Sequence, residues 1–160
     1  MLRLASYDIV FQEIPGEVTL ALNLSCCPNR CPGCHSPHLR EPVGEILDEG
    51  LLSGLIGQYG TSVTCICFMG GDNDPAQVER LSRYVRTQSA ERIKTGWYSG
   101  RDALPVGLSA RHFDFLKLGP YVERLGGLDS PTTNQRFYRI EDGQPVECTH
   151  LFRKHRTNLV

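Results

Sequence analysis

An α/β fold, built as a partial and open (β/α) barrel shorter than a full eight-stranded one, is predicted by three observations. Apolar runs of strand length alternate with stretches of helical period, the order that a parallel sheet with crossover helices requires. A loop crowded with cysteines leaves the C-terminal end of one predicted strand, where α/β sheets gather their active sites. The chain has 160 residues, enough for one domain with a core but short of the roughly 200 or more that a closed barrel takes. One domain spanning 1–160 is the expectation.

Taken in order, Ile9, Val10 and Phe11 suggest a strand within 7–12, and Pro15-Gly16 turns it into a second, so a hairpin at about 7–16 opens the chain. Val18, Leu20, Leu22 and Leu24 then alternate along one face of that second strand. Leu47, Leu51, Leu55 and Tyr59 recur at helical spacing up to Gly60. Gly50, Gly54 and Gly57 weaken that helix by roughly 1 kcal/mol each against alanine. The β-branched, apolar run 63–69 reads as a buried strand, with Cys65 and Cys67 packed on one face. Asp74 and Pro75 suit the cap and first position of the next helix, whose buried stripe is Val78, Leu81 and Val85. Further parallel strands are expected at 92–98, 114–118 and 136–140. Asp142-Gly143 turns the chain into a short strand near Val146, within a tail, 141–160, that carries Arg153, Lys154, His155 and Arg156.

A formal net charge of -1 without long runs of one sign gives no electrostatic case for nucleic acid or membrane surfaces. The longest dense apolar run is far too short for a membrane span, and the first residues lack a signal-peptide pattern, so a cytoplasmic protein is expected. Seven cysteines is an odd number, and three are clustered, which favours metal binding over a disulfide framework.

Those three, Cys27, Cys31 and Cys34, stand at C-x3-C-x2-C spacing on a loop punctuated by Pro28, Pro32 and Gly33. Thiolates suit zinc and iron–sulfur clusters. A zinc site completed by His38 or His35 is one reading. The other is a cluster in which one iron lacks a protein ligand and is open to a small molecule. Cys26 is a neighbour, since only Cys27 keeps the spacing. His112, His150 and His155 show no ligand spacing, Cys148 with His150 makes only two ligands, and no Ser-His-Asp set is evident.

The C-x3-C-x2-C loop resembles the radical S-adenosylmethionine (SAM) signature, and Cys31-Pro32-Gly33-Cys34-His35 is similar to the anaerobic ribonucleoside-triphosphate reductase activating proteins. Three further segments follow in that family's order: Gly70-Gly71-Asp72, the run Thr95-Gly96-Trp97, and Asn134-Gln135 after a segment that starts at Asp114. Each has a plainer reading as well: a turn for Gly70-Gly71-Asp72, a strand with an exposed Lys94 and a core Trp97 for the second, and a helix cap or turn for Asn134. The resemblance covers the chain from about Asp8 to Ile140. It implies a barrel of the radical SAM type and a [4Fe-4S] cluster on Cys27, Cys31 and Cys34. It implies SAM contacts at Gly33, Cys34, His35, Gly70, Gly71, Asp72, Thr95, Gly96 and Asn134. The implied activity is reductive cleavage of SAM, with an electron from reduced flavodoxin or a similar donor. The resulting 5′-deoxyadenosyl radical forms a glycyl radical on the reductase, the protein substrate. An activating enzyme of another glycyl-radical protein, such as pyruvate formate-lyase, and a non-catalytic zinc-binding interaction module are the alternatives.

Overall fold

The computed structural model describes residues 1–34 and 36–157, with 154–157 as backbone only. Strands β1 (Arg3–Val10), β2 (Thr19–Leu24), β3 (Glu45–Ile46), β4 (Cys65–Met69), β5 (Lys94–Tyr98), β6 (Phe115–Leu118), β7 (Arg136–Glu141) and β8 (Gln144–Glu147) form one sheet of order β3-β1-β2-β4-β5-β6-β7-β8. Helices α1 (Glu49–Tyr59), α2 (Pro75–Gln88) and α3 (His150–Thr157), with 3-10 turns at Pro37–Arg40 and Ala110–His112, complete the described elements. Only β2, β4, β5 and β6 run parallel; β1, β3, β7 and β8 pair antiparallel.

The expected (β/α) barrel is therefore wrong. The protein is an open, mixed, eight-stranded sheet with three short helices, richer in strand than in helix, and its outer strands β3 and β8 do not pair. A barrel would need a helix after each parallel strand. The connection from β5 to β6 holds only a 3-10 turn at Ala110–His112. After β6, Pro120, Gly126, Gly127 and Pro131 break up the chain, so it returns beside β6 in the antiparallel sense. Segment 136–140, expected in the parallel set, pairs Leu118 with Arg136 and Phe115 with Arg139 in that reversed register.

Both crossover helices cover one face. Leu52 and Leu55 of α1 and Val78, Leu81 and Val85 of α2 pack against Leu20, Leu22, Leu24, Ile66, Phe68 and Trp97. Asp48 caps α1, its carboxylate accepting from Leu51 N at 2.9 Å. Asp74 holds the cap position of α2 but makes no capping bond; its carboxylate instead meets the Met1 ammonium at 2.6 Å. The opposite face carries Cys65, Cys67, Tyr98, Phe115 and Phe137. It is closed by Ile14, from the loop between β1 and β2, and by Leu151 and Phe152 of α3. Gly96 is a glycine for this reason: a Cβ there would lie 2.9 Å from Ile14 Cδ1 and 3.3 Å from Cys67 Sγ. The turn between β7 and β8 has positive φ at both Asp142 (51°) and Gly143 (78°), the geometry that tight hairpins favour. No described helix is long and apolar enough to cross a membrane.

Candidate functional site

Four parallel strands ending side by side put four loops on one sheet edge. The register row Asn23, Met69, Tyr98 and Lys117 marks that edge. The thiol loop leaves β2 there and is closed at its neck, where Cys26 N donates to Glu41 O at 3.3 Å and Cys27 N to Leu39 O at 3.0 Å. Cys26 sits at φ 60°, in the left-handed region, so the chain turns sharply between the two adjacent cysteines. Within the loop, Gly33 at φ 75° allows a tight turn in which Cys34 N donates to Cys31 O at 3.1 Å. The Arg40 guanidinium donates from Nη2 to the same Cys31 carbonyl at 3.1 Å. Cys27, Cys31 and Cys34 are half-buried, free thiols.

The Gly70-Gly71-Asp72 turn follows β4, next to this loop. Gly70 and Gly71 have φ of 107° and 93°, which favours glycine at both positions. A Cβ on Gly71 would also lie 2.6 Å from Val78 Cγ2. The Gly70 carbonyl accepts the Trp97 indole N–H at 2.7 Å. Asp72, only 5% exposed, is the joint between segments. Its Oδ2 accepts from Asn29 Nδ2 at 2.5 Å and from Gly100 N at 2.8 Å, and its Oδ1 from Ser99 Oγ at 2.6 Å. One carboxylate thus ties the thiol loop, the end of β4 and the end of β5 together.

Lys117 brings a cation to the same edge. Its Nζ donates to Ser99 O at 3.0 Å and to Gly119 O at 3.3 Å, and stands 5.7 Å from the centre of the Tyr98 ring. Burial pushes its pKa below the ordinary lysine value, while Asp72, Cys31, Cys67 and Cys27 draw it back up. Burial likewise raises the Cys27 thiol, opposed by its hydrogen bond to Asn29 and reinforced by Asp72 and Cys31. The loop after β6 completes the edge: a Cβ on Gly33 would lie 2.5 Å from Glu123 Oε2, and Pro32 lines a cavity of about 540 Å³ with residues 121–124.

The structure thus brings together Cys27, Cys31, Gly70, Gly71 and Asp72. Gly33 and Cys34 lie in the same loop, and His35 lies outside the described residues. Thr95 and Gly96 stand apart from them. Thr95 lies on the helix-covered face, where Ser82 Oγ donates to its hydroxyl at 2.7 Å, and Gly96 lies under Ile14. Asn134 is close to the loop after β6. Its Nδ2 donates to Pro120 O at 3.0 Å, and its buried Oδ1 has no partner among the described residues. Sequence reasoning missed Asn29, Arg40, Ser99, Gly100 and Lys117. Ser99 and Lys117 were accessible in principle, because each stands at the end of a predicted parallel strand. Asn29 and Arg40 carry no such signal.

Among the described residues, no three Cys, His, Asp or Glu side chains converge as a ready-made metal site. The donor chemistry of the loop still fits an iron–sulfur group: three free thiols stand on one closed loop at C-x3-C-x2-C spacing, and His38 is exposed on the following 3-10 turn. Comparisons with family models, curated proteins and solved structures find no match to this chain.

Proposed function

We propose that this chain is an activating protein of an anaerobic ribonucleoside-triphosphate reductase, working in the cytoplasm with SAM and a [4Fe-4S] cluster held by Cys27, Cys31 and Cys34. When bound, cluster and SAM would supply a 5′-deoxyadenosyl radical that removes hydrogen from one reductase glycine, the electron coming from reduced flavodoxin or a similar donor. The observation that carries this reading is the Asp72 joint, which binds the thiol loop to the Gly-Gly turn and to the segment after Trp97. The first two are segments that the resemblance singles out, the third directly follows one, and all three are far apart in sequence.

The chain's own part is to hold and to shield. Three thiolates bind, and Asp72 fixes the loop that carries them. Tyr98, Phe115, Phe137 and Ile14 form a dry floor beneath the edge, so a reactive species there is kept from water on one side. The open edge leaves room for a loop of a protein substrate. No acid–base pair is required, because the cofactors carry the hard chemistry.

The test is anaerobic: reconstitute with iron and sulfide, reduce, add SAM, and measure 5′-deoxyadenosine for wild type and Cys31→Ala. Product from wild type alone, with a glycyl radical signal when the reductase is added, supports the reading. A verified, reduced cluster that gives no product even with the reductase present overturns it. Uptake of zinc with no brown colour would favour a zinc-binding interaction module.

A further inference from the structure

Arg40 closes the thiol loop from its far end. It terminates the 3-10 turn Pro37–Arg40, next to Leu39, whose carbonyl accepts from Cys27 N. Its Nη2 holds the Cys31 carbonyl at 3.1 Å. Adjacent chain positions, Leu39 and Arg40, therefore tether two of the three candidate ligand residues. Two features of Arg40 are not explained by that tether. Its Nε is buried and has no hydrogen-bond partner among the described residues. No carboxylate lies within ion-pair distance of its guanidinium among the described residues either. A buried guanidinium N–H without an acceptor is costly, although the Arg40 side chain as a whole is only half-buried. Retaining both in a loop that carries three thiols makes sense if negative charge gathers there.

We propose that Arg40 is a positioning residue for the metal group: it fixes Cys31, and its charge compensates the thiolates and favours the reduced cluster. This rests on the functional reading above. Three thiolates around a cluster leave it net negative, and taking up an electron makes it more so. A fixed cation beside it stabilises the reduced form more than the oxidised one and raises the reduction potential. Hydrogen bonds and charges just outside the ligands commonly change metal affinity by roughly tenfold or more.

The experiment compares reconstituted wild type, Arg40→Gln and Arg40→Lys by anaerobic redox titration, followed by absorbance, and by the rate of iron loss to a chelator. Arg40→Gln is expected to shift the potential to a more negative value and to release iron roughly tenfold faster. Arg40→Lys, which keeps the charge, is expected to recover most of both. An Arg40→Gln potential equal to that of wild type overturns the inference. If Arg40→Gln holds no cluster at all, Arg40→Lys decides: failure to recover the cluster would mean that side-chain shape rather than charge matters, which also overturns it. A wild-type protein that takes up no cluster overturns the functional reading and this inference with it; a wild-type cluster indifferent to Arg40 overturns the inference alone.

Discussion

At the scale of single residues, Asp72 carries the most. Buried and accepting from a side-chain amide, a hydroxyl and a backbone amide, it cannot become asparagine without turning a donor toward donors. Hydrogen bonds to a charged group are worth about 1.5–3 kcal/mol each. Asp72→Asn is expected to cost about 3 kcal/mol in urea denaturation, with amide exchange accelerated in residues 26–31 and 99–101. Faster exchange spread evenly over the molecule would contradict its role as a joint. Cys65 and Cys67 have a different consequence. Burial pushes both thiols above their ordinary value of about 9, with Glu17 and Asp114 reinforcing it for Cys65, and Cys65 and Glu13 for Cys67. The unfolded chain ionises these thiols first, so their contribution to stability is complete below about pH 9 and is lost as pH rises beyond it. The urea midpoint should fall between pH 8.5 and 10, and a Cys65→Ala, Cys67→Ala double variant should show a flatter decline.

At the scale of elements, the loop between β1 and β2 acts as a plug. Ile14 is fully buried against the sheet, and Tyr98 OH donates to the neighbouring Glu13 carbonyl, so a connecting segment does the work that a helix would do in a barrel. Gly96→Ala would drive a methyl group into Ile14 Cδ1, and overpacking of this kind costs about 1–3 kcal/mol. Ile14→Val removes that carbon. The double variant should therefore be more stable than the sum of the two single effects, and a thermal-melt double-mutant cycle measures the coupling. Strict additivity would mean that the loop yields without resistance.

For the whole molecule, two buried clusters on opposite faces of one sheet hold the fold without help from the thiol loop. Removing the proposed metal group with a chelator is accordingly expected to leave far-UV circular dichroism unchanged and to loosen only the segment between Cys27 and Leu39, as hydrogen exchange would report. Collapse of the fold on chelation would make the loop part of the core. The same division explains what could be read from the sequence. Local patterns marked each central element: Leu20, Leu22 and Leu24 on alternate positions, the apolar run of β4, the Val78, Leu81 and Val85 stripe, and the Asp142-Gly143 turn all sit where expected. The barrel was wrong because strand direction is not a local property. The segment 136–140 has the same strand-forming residues whether it returns parallel or antiparallel, and the turn-rich stretch before it was the only hint. The site was legible in its thiols and its Gly-Gly-Asp turn. Asn29 and Arg40 were not, since a lone polar side chain in a loop acquires its meaning only from what folds around it.

Trp97 is the only tryptophan in the chain, fully buried, with its indole N–H on the Gly70 carbonyl. The molecule therefore contains its own optical probe directly behind the Gly-Gly turn. Emission excited at the red edge of the indole band comes from that one side chain and reports on its surroundings. A coloured cofactor in the neighbouring loop should quench it by energy transfer, and a colourless zinc ion should not. Filling of the site can thus be followed in real time, without any label, by watching one residue darken.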